Sequence, residues 1–391
     1  MHGSTRTELV EPSSSPRGPA LASMGLVALA AALGSCQSEP AWDWQLPPGI
    51  PAPAVPADNP MNAAKVELGR RLFYDVRLSG NRTQSCASCH AQERAFTDGM
   101  PVATGSTGDH TPRNAMGLTN VAYNPVQTWA NPSLVSLEDQ AMVPIFGEHP
   151  VELGLSNMED ELVARLHAEP LYPDLFAEAF PGEADAITIA NAVRAIAAFE
   201  RTMLSFDSPY DRYVYRGDRT ALSESALRGL DLFNSERCEC FHCHGGFNFT
   251  DNLMHGGTRI PEVQFHNTAL YNIDGRGGYP APNRGLFELT GEPRDMGHFR
   301  APTLRNITAS APYMHDGTVV DLNAVLDHYA AGGRTIESGP NAGVGSESPL
   351  KNVFLHGFTL SDGERADLLA LLESLTDETF LHDPRFADPW R

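Results

Sequence analysis

The sequence predicts a mostly α-helical protein in which long irregular loops surround the helices. Between residues 189 and 200 apolar side chains recur with the period of a helix, at Ile189, Ala190, Val193, Ile196 and Ala197, with Glu200 on the same face. Near the C-terminus, Ser361 and Glu364 match a capping box ahead of a second apolar helical pattern. Strand-like alternation is scarce, and the 34 glycines and 30 prolines, dense between residues 256 and 302, indicate long loops.

Composition places the chain among globular proteins. Its 391 residues are 41% hydrophobic and 20% charged, which leaves room for two ordinary domains and makes disorder of the whole chain implausible. The formal charge of -21 is spread along the sequence rather than concentrated in one block. Because nucleic acids and anionic lipids repel such a surface, this balance disfavours both as partners.

The N-terminal segment predicts export. The apolar run from Met24 to Leu33 is too short to span a bilayer and is typical of a secretory signal peptide over residues 1–35. The sequence Leu-Gly-Ser-Cys that ends at Cys36 resembles the lipobox of bacterial lipoproteins, so Cys36 is a possible lipid anchor; an ordinary signal peptide with a coincidental cysteine is the alternative. Both interpretations place the protein outside the cytoplasm, in the periplasm. Residues 36–60, rich in proline, are expected to form an extended tether.

Four of the six cysteines lie in two Cys-x-x-Cys-His units. These are formed by Cys86, Cys89 and His90, and by Cys240, Cys243 and His244. In such a unit both thiols add to the vinyl groups of one haem and the adjacent histidine ligates its iron, so the sequence predicts two covalently bound haem c groups. A redox dithiol or a zinc site explains the repeated histidine less well. Cys238 has no clear role, and a variant attachment through Cys238 and Cys243 is an open alternative.

A weak internal repeat precedes the two units. A Leu-Gly or Arg-Gly pair, a short spacer and Leu-Phe occur over residues 68–73 and again over residues 228–233. The spacing to the following cysteine differs, so the repeat indicates two similar units rather than a solenoid. We therefore predict two cytochrome c-like domains, an N-terminal haem domain over residues 61–217 and a C-terminal haem domain over residues 218–391.

Four further stretches carry a resemblance to a known family. They are residues 94–99, 136–154, 299–306 and 311–317, and all four occur in the family's order. Over roughly residues 60–378 the chain resembles the bacterial dihaem cytochrome c peroxidase and MauG family. This resemblance implies a peroxide-dependent oxidoreductase in which the N-terminal haem reacts with hydrogen peroxide.

The ligand of the second haem separates the branches of that family. Its peroxidases use a methionine after a short helix beyond a His-Asp-Gly stretch, and Tyr329 stands at that place here. The resemblance to MauG implies that Tyr329 ligates the iron opposite His244, where a phenolate stabilises oxidised iron and favours a paired high-valent state. The alternative is a tyrosine packed in the core, since Leu322, Val325 and Tyr329 share one helical face.

The reaction pocket of the family is matched by Gln140, Pro144 and Glu152. The resemblance implies that Glu152 moves a proton between the peroxide oxygens, whereas a surface carboxylate is the plainer interpretation. Some relatives close this pocket with a histidine. Only His110 lies nearby and its offset matches poorly, which favours a permanently open, five-coordinate haem at His90.

Two more features follow from the resemblance. Trp129 corresponds to the tryptophan that lies between the two haems and couples their irons, although an ordinary buried tryptophan is the alternative. The family also binds calcium between the domains, through one asparagine side chain and two main-chain carbonyls. The matching positions are Asn114, Ser310 and Pro312, whose oxygen donors suit that ion.

Residues 146–152 and 240–249 narrow the resemblance to MbnH and its MauG-type relatives. This branch implies that hydrogen peroxide drives oxidation of a tryptophan to kynurenine on an exported copper-binding protein. Two alternatives remain. One is a cytochrome c peroxidase that reduces hydrogen peroxide with electrons from a small donor protein, and the other is a non-enzymatic electron-transfer cytochrome with two six-coordinate haems.

Overall fold

The computed structural model describes residues 42–391, and this part of the chain is mostly helical, as predicted. Its α-helices are α1 (Ala63–Phe73), α2 (Leu137–Phe146), α3 (Glu159–Ala168), α4 (Tyr172–Ala179), α5 (Ile189–Arg201), α6 (Pro209–Tyr215), α7 (Glu224–Phe233), α8 (Phe287–Thr290), α9 (Leu322–Ala330), α10 (Asp362–Ser374) and α11 (Glu378–His382). Two short antiparallel pairs are the β-sheets of the described residues: β1 (His266–Asn267) with β2 (His298–Phe299), and β3 (Thr335–Ile336) with β4 (Gly343–Val344).

Both helices expected from the sequence are present. The apolar pattern over residues 189–200 forms α5, which begins after Thr188, whose hydroxyl accepts a hydrogen bond from the Asn191 backbone N–H. The capping box at Ser361 and Glu364 begins α10, with both of its hydrogen bonds formed. Apart from α8, the β1–β2 pair and three short 3-10 turns, the long segment between α7 and α9 is irregular.

The internal repeat forms two equivalent helix crossings. Its copies lie in α1, which packs on α5, and in α7, which packs on α10. A Cβ placed on Gly69 would lie 1.9 Å from the carbonyl oxygen of Ala195, and one on Gly229 would lie 2.0 Å from that of Asp367. The repeated glycine therefore lets one helix backbone rest directly on the other, ahead of each Cys-x-x-Cys-His unit.

Each crossing has its own apolar core. Phe73 and Phe199 lie in the core around α1 and α5, and Phe233 and Leu371 lie in the core around α7 and α10. Phe380 and residues up to 386 return from the C-terminus to pack in the first of these cores. The division at residues 217 and 218 stays a prediction, because the end of the chain contributes to the packing of the first half.

The expectation of an extended tether needs correction for residues 42–60. This stretch lacks regular structure, but Ile50 is buried beside Tyr123, and the Tyr123 hydroxyl donates a hydrogen bond to the Pro51 carbonyl. Asn59 is also buried and donates to Glu138. Prolines dictate extended backbone here, but one apolar anchor and an amide are enough to fix the segment to the body.

The predicted signal peptide and Cys36 lie outside the described residues. Over residues 42–391 the structure contains no helix with the length and apolar character that crossing a bilayer requires.

We expect Gly229→Ala to destabilise the protein by about 1–3 kcal/mol or more, because the added methyl group meets backbone rather than a movable side chain. Gly363→Ala is the matched control: it lies in α10 with nothing within 4 Å of an added Cβ, and its effect should stay within about 1 kcal/mol. Urea unfolding of the haem-loaded protein measures both. Equal stabilities of the two variants would contradict the proposed backbone contact.

Candidate functional site

The first Cys-x-x-Cys-His unit is a short 3-10 turn (Cys86–Ser88) that presents His90 to a cavity. The Nδ1 atom of His90 lies 2.7 Å from the carbonyl oxygen of Phe96 and donates a hydrogen bond to it. Phe96 follows Ala95 in the left-handed region, with φ of 61° and 54°, so the chain reverses to aim this carbonyl at the ring. Because Nδ1 carries the proton, Nε2 is left as the metal-binding atom.

The second unit repeats the arrangement. Its 3-10 turn (Cys240–His242) places His244 so that Nδ1 lies 3.1 Å from the carbonyl oxygen of Phe249, which has a positive φ of 50°. None of the four cysteines of the two units forms a disulfide within residues 42–391. Cys238 is buried and lines the cavity of the second unit, so the variant attachment stays open.

A small cavity of about 40 Å³ surrounds His90, and we call it the His90 cavity. Its wall contains the three residues predicted for the reaction pocket: Gln140, Pro144 and Glu152. Burial raises the pKa of Glu152 above its ordinary range, so this carboxyl retains a proton more readily than an exposed one. The geometry thus brings a carboxyl, an amide and a histidine to one enclosed space, while their roles stay predictions.

The sequence analysis did not identify Glu200 as a functional residue. This carboxyl lies in the wall of the same cavity, is 6% exposed, and its Oε2 atom makes no hydrogen bond within residues 42–391. Burial raises its pKa to about 8, although Arg201 beside it opposes the shift. The signal was present in the sequence, because Glu200 is an acidic residue on the apolar face of α5.

His110 lies elsewhere. Its side chain is exposed, Nδ1 lies 3.1 Å from the Thr104 hydroxyl, and it is absent from the wall of the His90 cavity. This position agrees with a histidine on a solvated loop.

A larger cavity of about 230 Å³ surrounds His244, and we call it the His244 cavity. Tyr329 in α9 lies in its wall together with Cys240 and Cys243. Within the described residues the Tyr329 hydroxyl has no hydrogen-bond partner, and burial raises the pKa of this phenol. A tyrosine packed only as core would place its hydroxyl against a protein acceptor. Here it faces the cavity instead.

The His244 cavity also fits the charge of a haem. Arg300 is 3% exposed, and its Nη1 atom has no hydrogen-bond partner among residues 42–391. Burial lowers its pKa to about 10, although Asp251 opposes the shift. The propionate groups of a haem are suitable anions for this guanidinium. Arg300 is thus a second residue whose role the sequence analysis missed.

The remaining predicted residues also line the His244 cavity. Trp129 donates a hydrogen bond from Nε1 to the Asn114 carbonyl at 2.9 Å. The Asn114 side chain donates from Nδ2 to the Met100 carbonyl at 2.7 Å, so its Oδ1 atom is the one available to a cation. Ser310 and Pro312 lie in the same wall, so the three predicted calcium ligands share one region. Calcium binding by these residues stays a prediction.

Comparison with known proteins identifies the family. Residues 63–220 match the sequence profile of the di-haem cytochrome c peroxidases. The chain is 34% identical over 334 residues to the methylamine utilization protein MauG of Methylorubrum extorquens, covering 85% of this chain and 83% of MauG. It is 35% identical over 354 residues to cytochrome-c peroxidase IdrP1 of Pseudomonas sp. strain SCT, covering 86% and 88%.

The chain belongs to the di-haem cytochrome c peroxidase and MauG family. It is accordingly a peroxide-dependent dihaem oxidoreductase with haem cofactors. A crystal structure of a MauG-like protein associated with microbial copper homeostasis is 54% identical to it, with a TM-score of 0.88, and covers 90% of this chain and 100% of that chain.

We expect Glu200→Gln to change the pH dependence of stability. Between the ordinary pKa of 4.5 and the raised value of about 8, the folded protein holds a proton that the unfolded chain has released. The free energy of unfolding therefore falls as pH rises through this window, and a neutral amide removes that slope. Urea unfolding of the haem-loaded protein at intervals from pH 5 to pH 8 measures it.

The exposed Glu178 in α4 supplies a control, because Glu178→Gln should leave the slope of the wild type intact. Parallel slopes for the Glu200→Gln variant and the wild type would show that Glu200 is ionised throughout.

Proposed function

We propose that this protein uses hydrogen peroxide to oxidise a tryptophan of a separate, exported copper-binding protein to kynurenine. The observation that carries the proposal is Tyr329, whose free hydroxyl faces the His244 cavity where peroxidases of the family have methionine. The likeness to MauG and to a MauG-like protein associated with copper homeostasis supports the same branch. Export is supported by the predicted signal peptide, with Cys36 as the proposed lipid anchor.

The two motifs provide the cofactor sites. We assign one haem to Cys86, Cys89 and His90, and the other to Cys240, Cys243 and His244, whose iron Tyr329 would also ligate. Haem bound there supplies iron that peroxide oxidises and that then accepts electrons from a substrate. The hydrogen bonds from both histidines to backbone carbonyls fix the rings and make Nε2 more electron-rich.

We assign proton transfer to residues in the wall of the His90 cavity. Burial raises the pKa of Glu152, so its carboxylate is a stronger base that can accept a proton from one peroxide oxygen and return it to the other. Gln140 offers an amide that hydrogen-bonds and orients peroxide. Pro144 restricts the space beside it, and Glu200 keeps a second proton in the wall of the same cavity. Among residues 42–391 no histidine besides His90 lines this cavity, so we propose that the site is open to peroxide.

We place the substrate tryptophan outside both cavities, because each cavity is assigned to a haem. Trp129, in the wall of the His244 cavity, is placed to carry electrons between the two sites. Two molecules of hydrogen peroxide balance the reaction. Tryptophan loses four electrons and gains two oxygen atoms as N-formylkynurenine, two molecules of water form, and hydrolysis then releases formate to leave kynurenine.

The calcium site is part of the proposal. Asn114 Oδ1 and the carbonyls of Ser310 and Pro312 supply the hard oxygen donors that calcium requires. Because Trp129 bonds to the Asn114 carbonyl, a cation held there also fixes the indole.

A second candidate is a cytochrome c peroxidase that reduces hydrogen peroxide with electrons from a donor protein. The 35% identity to cytochrome-c peroxidase IdrP1 favours it. It requires steady peroxide consumption when a reduced donor cytochrome is supplied, and it leaves tryptophan unmodified.

We expect Tyr329→Phe to retain two attached haems but to lose the electron paramagnetic resonance signal of the tyrosine-ligated iron, because phenylalanine supplies no ligand atom. Tyr313→Phe is the matched control. Tyr313 lines the same cavity, but its hydroxyl donates to the Ile307 carbonyl at 3.0 Å. A spectrum that changes in Tyr313→Phe and not in Tyr329→Phe would remove Tyr329 as the ligand.

Mass spectrometry tests the reaction itself. After incubation with enzyme and hydrogen peroxide, the partner encoded nearby should contain one tryptophan that has lost a carbon atom and gained an oxygen atom. Glu152→Gln should slow this conversion by about 10²–10⁴-fold, since it removes the proton carrier. The exposed Glu148, a few residues away, gives the control Glu148→Gln. Unmodified tryptophan with rapid peroxide loss would favour the second candidate.

A further inference from the structure

A cluster of two histidines and two glutamates lies at the rim of the His244 cavity, and we call it the rim cluster. Its members are Glu236, Glu239, His242 and His356. His242 occupies the second variable position of the second Cys-x-x-Cys-His unit, and Glu239 precedes that unit and lies in the wall of the cavity. The family assignment and the reaction proposed above use none of these four side chains.

Three of the four side chains converge on one point, and His356 contacts this group through Glu239. Glu239 Oε2 lies 2.6 Å from His242 Nε2, and Glu239 Oε1 lies 3.4 Å from His356 Nε2. Glu236 Oε2 lies 3.9 Å from His242 Nε2. The donor atoms of Glu236, Glu239 and His242 all lie within 4.8 Å of one another. Donors that share one ion with bonds of about 2.0–2.1 Å are separated by roughly 3 Å, so small movements bring these atoms to a common centre.

The central pair is rigid and lacks a hydrogen bond. The His242 ring stacks on Phe354 with centroids 3.9 Å apart and an interplanar angle of 4°. Glu239 has a φ of 56°, an unfavourable conformation for a residue with a side chain. Although Glu239 Oε2 and His242 Nε2 are close and buried, neither atom makes a hydrogen bond of acceptable geometry within residues 42–391.

Donor chemistry selects the ion. One imidazole nitrogen with two carboxylates suits copper(II) and zinc, whereas calcium and magnesium prefer oxygen donors alone. We propose that Glu236, Glu239 and His242 bind one divalent transition-metal ion, with copper(II) bound more tightly than zinc and with His356 as the outer partner of Glu239. This site is distinct from both haem irons and from the proposed calcium site. It does not depend on the identity of the protein substrate.

Copper titration of the haem-loaded protein, followed by electron paramagnetic resonance, tests the site. After treatment with a chelator, one equivalent of copper(II) chloride should give a single signal with hyperfine splitting from one nitrogen. His356→Ala and Glu236→Gln should each weaken binding by about tenfold or more, because even the outer partners of metal ligands contribute about 10–100-fold. Both side chains are exposed, so the haem unit stays intact, and a haem count of two verifies this.

His382→Ala is the matched control. His382 forms an exposed pair with Glu378 at 3.6 Å in α11, outside the rim cluster, and its loss should leave copper binding unchanged. Copper affinity that is the same in His356→Ala, Glu236→Gln and the wild type would overturn the proposal. A signal without coupling to a nitrogen would also overturn it.

Discussion

The structure depends on the way two imidazole rings are held. His90 and His244 each donate a hydrogen bond from Nδ1 to a backbone carbonyl of a residue with positive φ, at 2.7 and 3.1 Å. This bond fixes the tautomer, so that Nε2 is available on the cavity side in both halves. The glycine contacts at Gly69 and Gly229 give each unit the same support, because they set the position of the helix that precedes it.

The two sites differ in what surrounds these equivalent histidines. The His90 cavity is small and contains two carboxyls, Glu152 and Glu200, whose pKa values burial raises. The His244 cavity is larger and contains a phenol and a buried guanidinium, Tyr329 and Arg300. Protons are therefore available where peroxide reacts in the proposal, and an electron-donating ligand is available at the other iron. The two Cys-x-x-Cys-His units therefore share one arrangement of the histidine and differ in the residues that line their cavities.

Much of this was predictable from the sequence. The Cys-x-x-Cys-His units, the helix over residues 189–200 and the capping box at Ser361 are local patterns, and local patterns determine local structure. The resemblance pointed to Gln140, Pro144 and Glu152, and all three line one cavity although they span a helix and a loop. It also pointed to Tyr329, which lies in the last turn of α9 rather than after it.

Other features depend on contacts between distant segments. Glu200 was visible as an acid on an apolar face, but its place beside His90 depends on how α5 crosses α1 and α2. Arg300 is notable because its buried Nη1 atom lacks a hydrogen-bond partner, which is a property of the folded structure. The proline-rich segment before α1 resembled a tether because composition reveals flexibility, whereas the burial of Ile50 depends on Tyr123 and Phe206. Burial against remote residues leaves no local pattern.

The most direct measurement is an electron paramagnetic resonance spectrum of the resting, oxidised protein. A vacant coordination position at the His90 iron predicts a high-spin signal, and ligation by His244 and Tyr329 predicts a low-spin signal of equal amount. Two low-spin signals would contradict the account, because they would mean that both irons have two protein ligands and that peroxide has no open position.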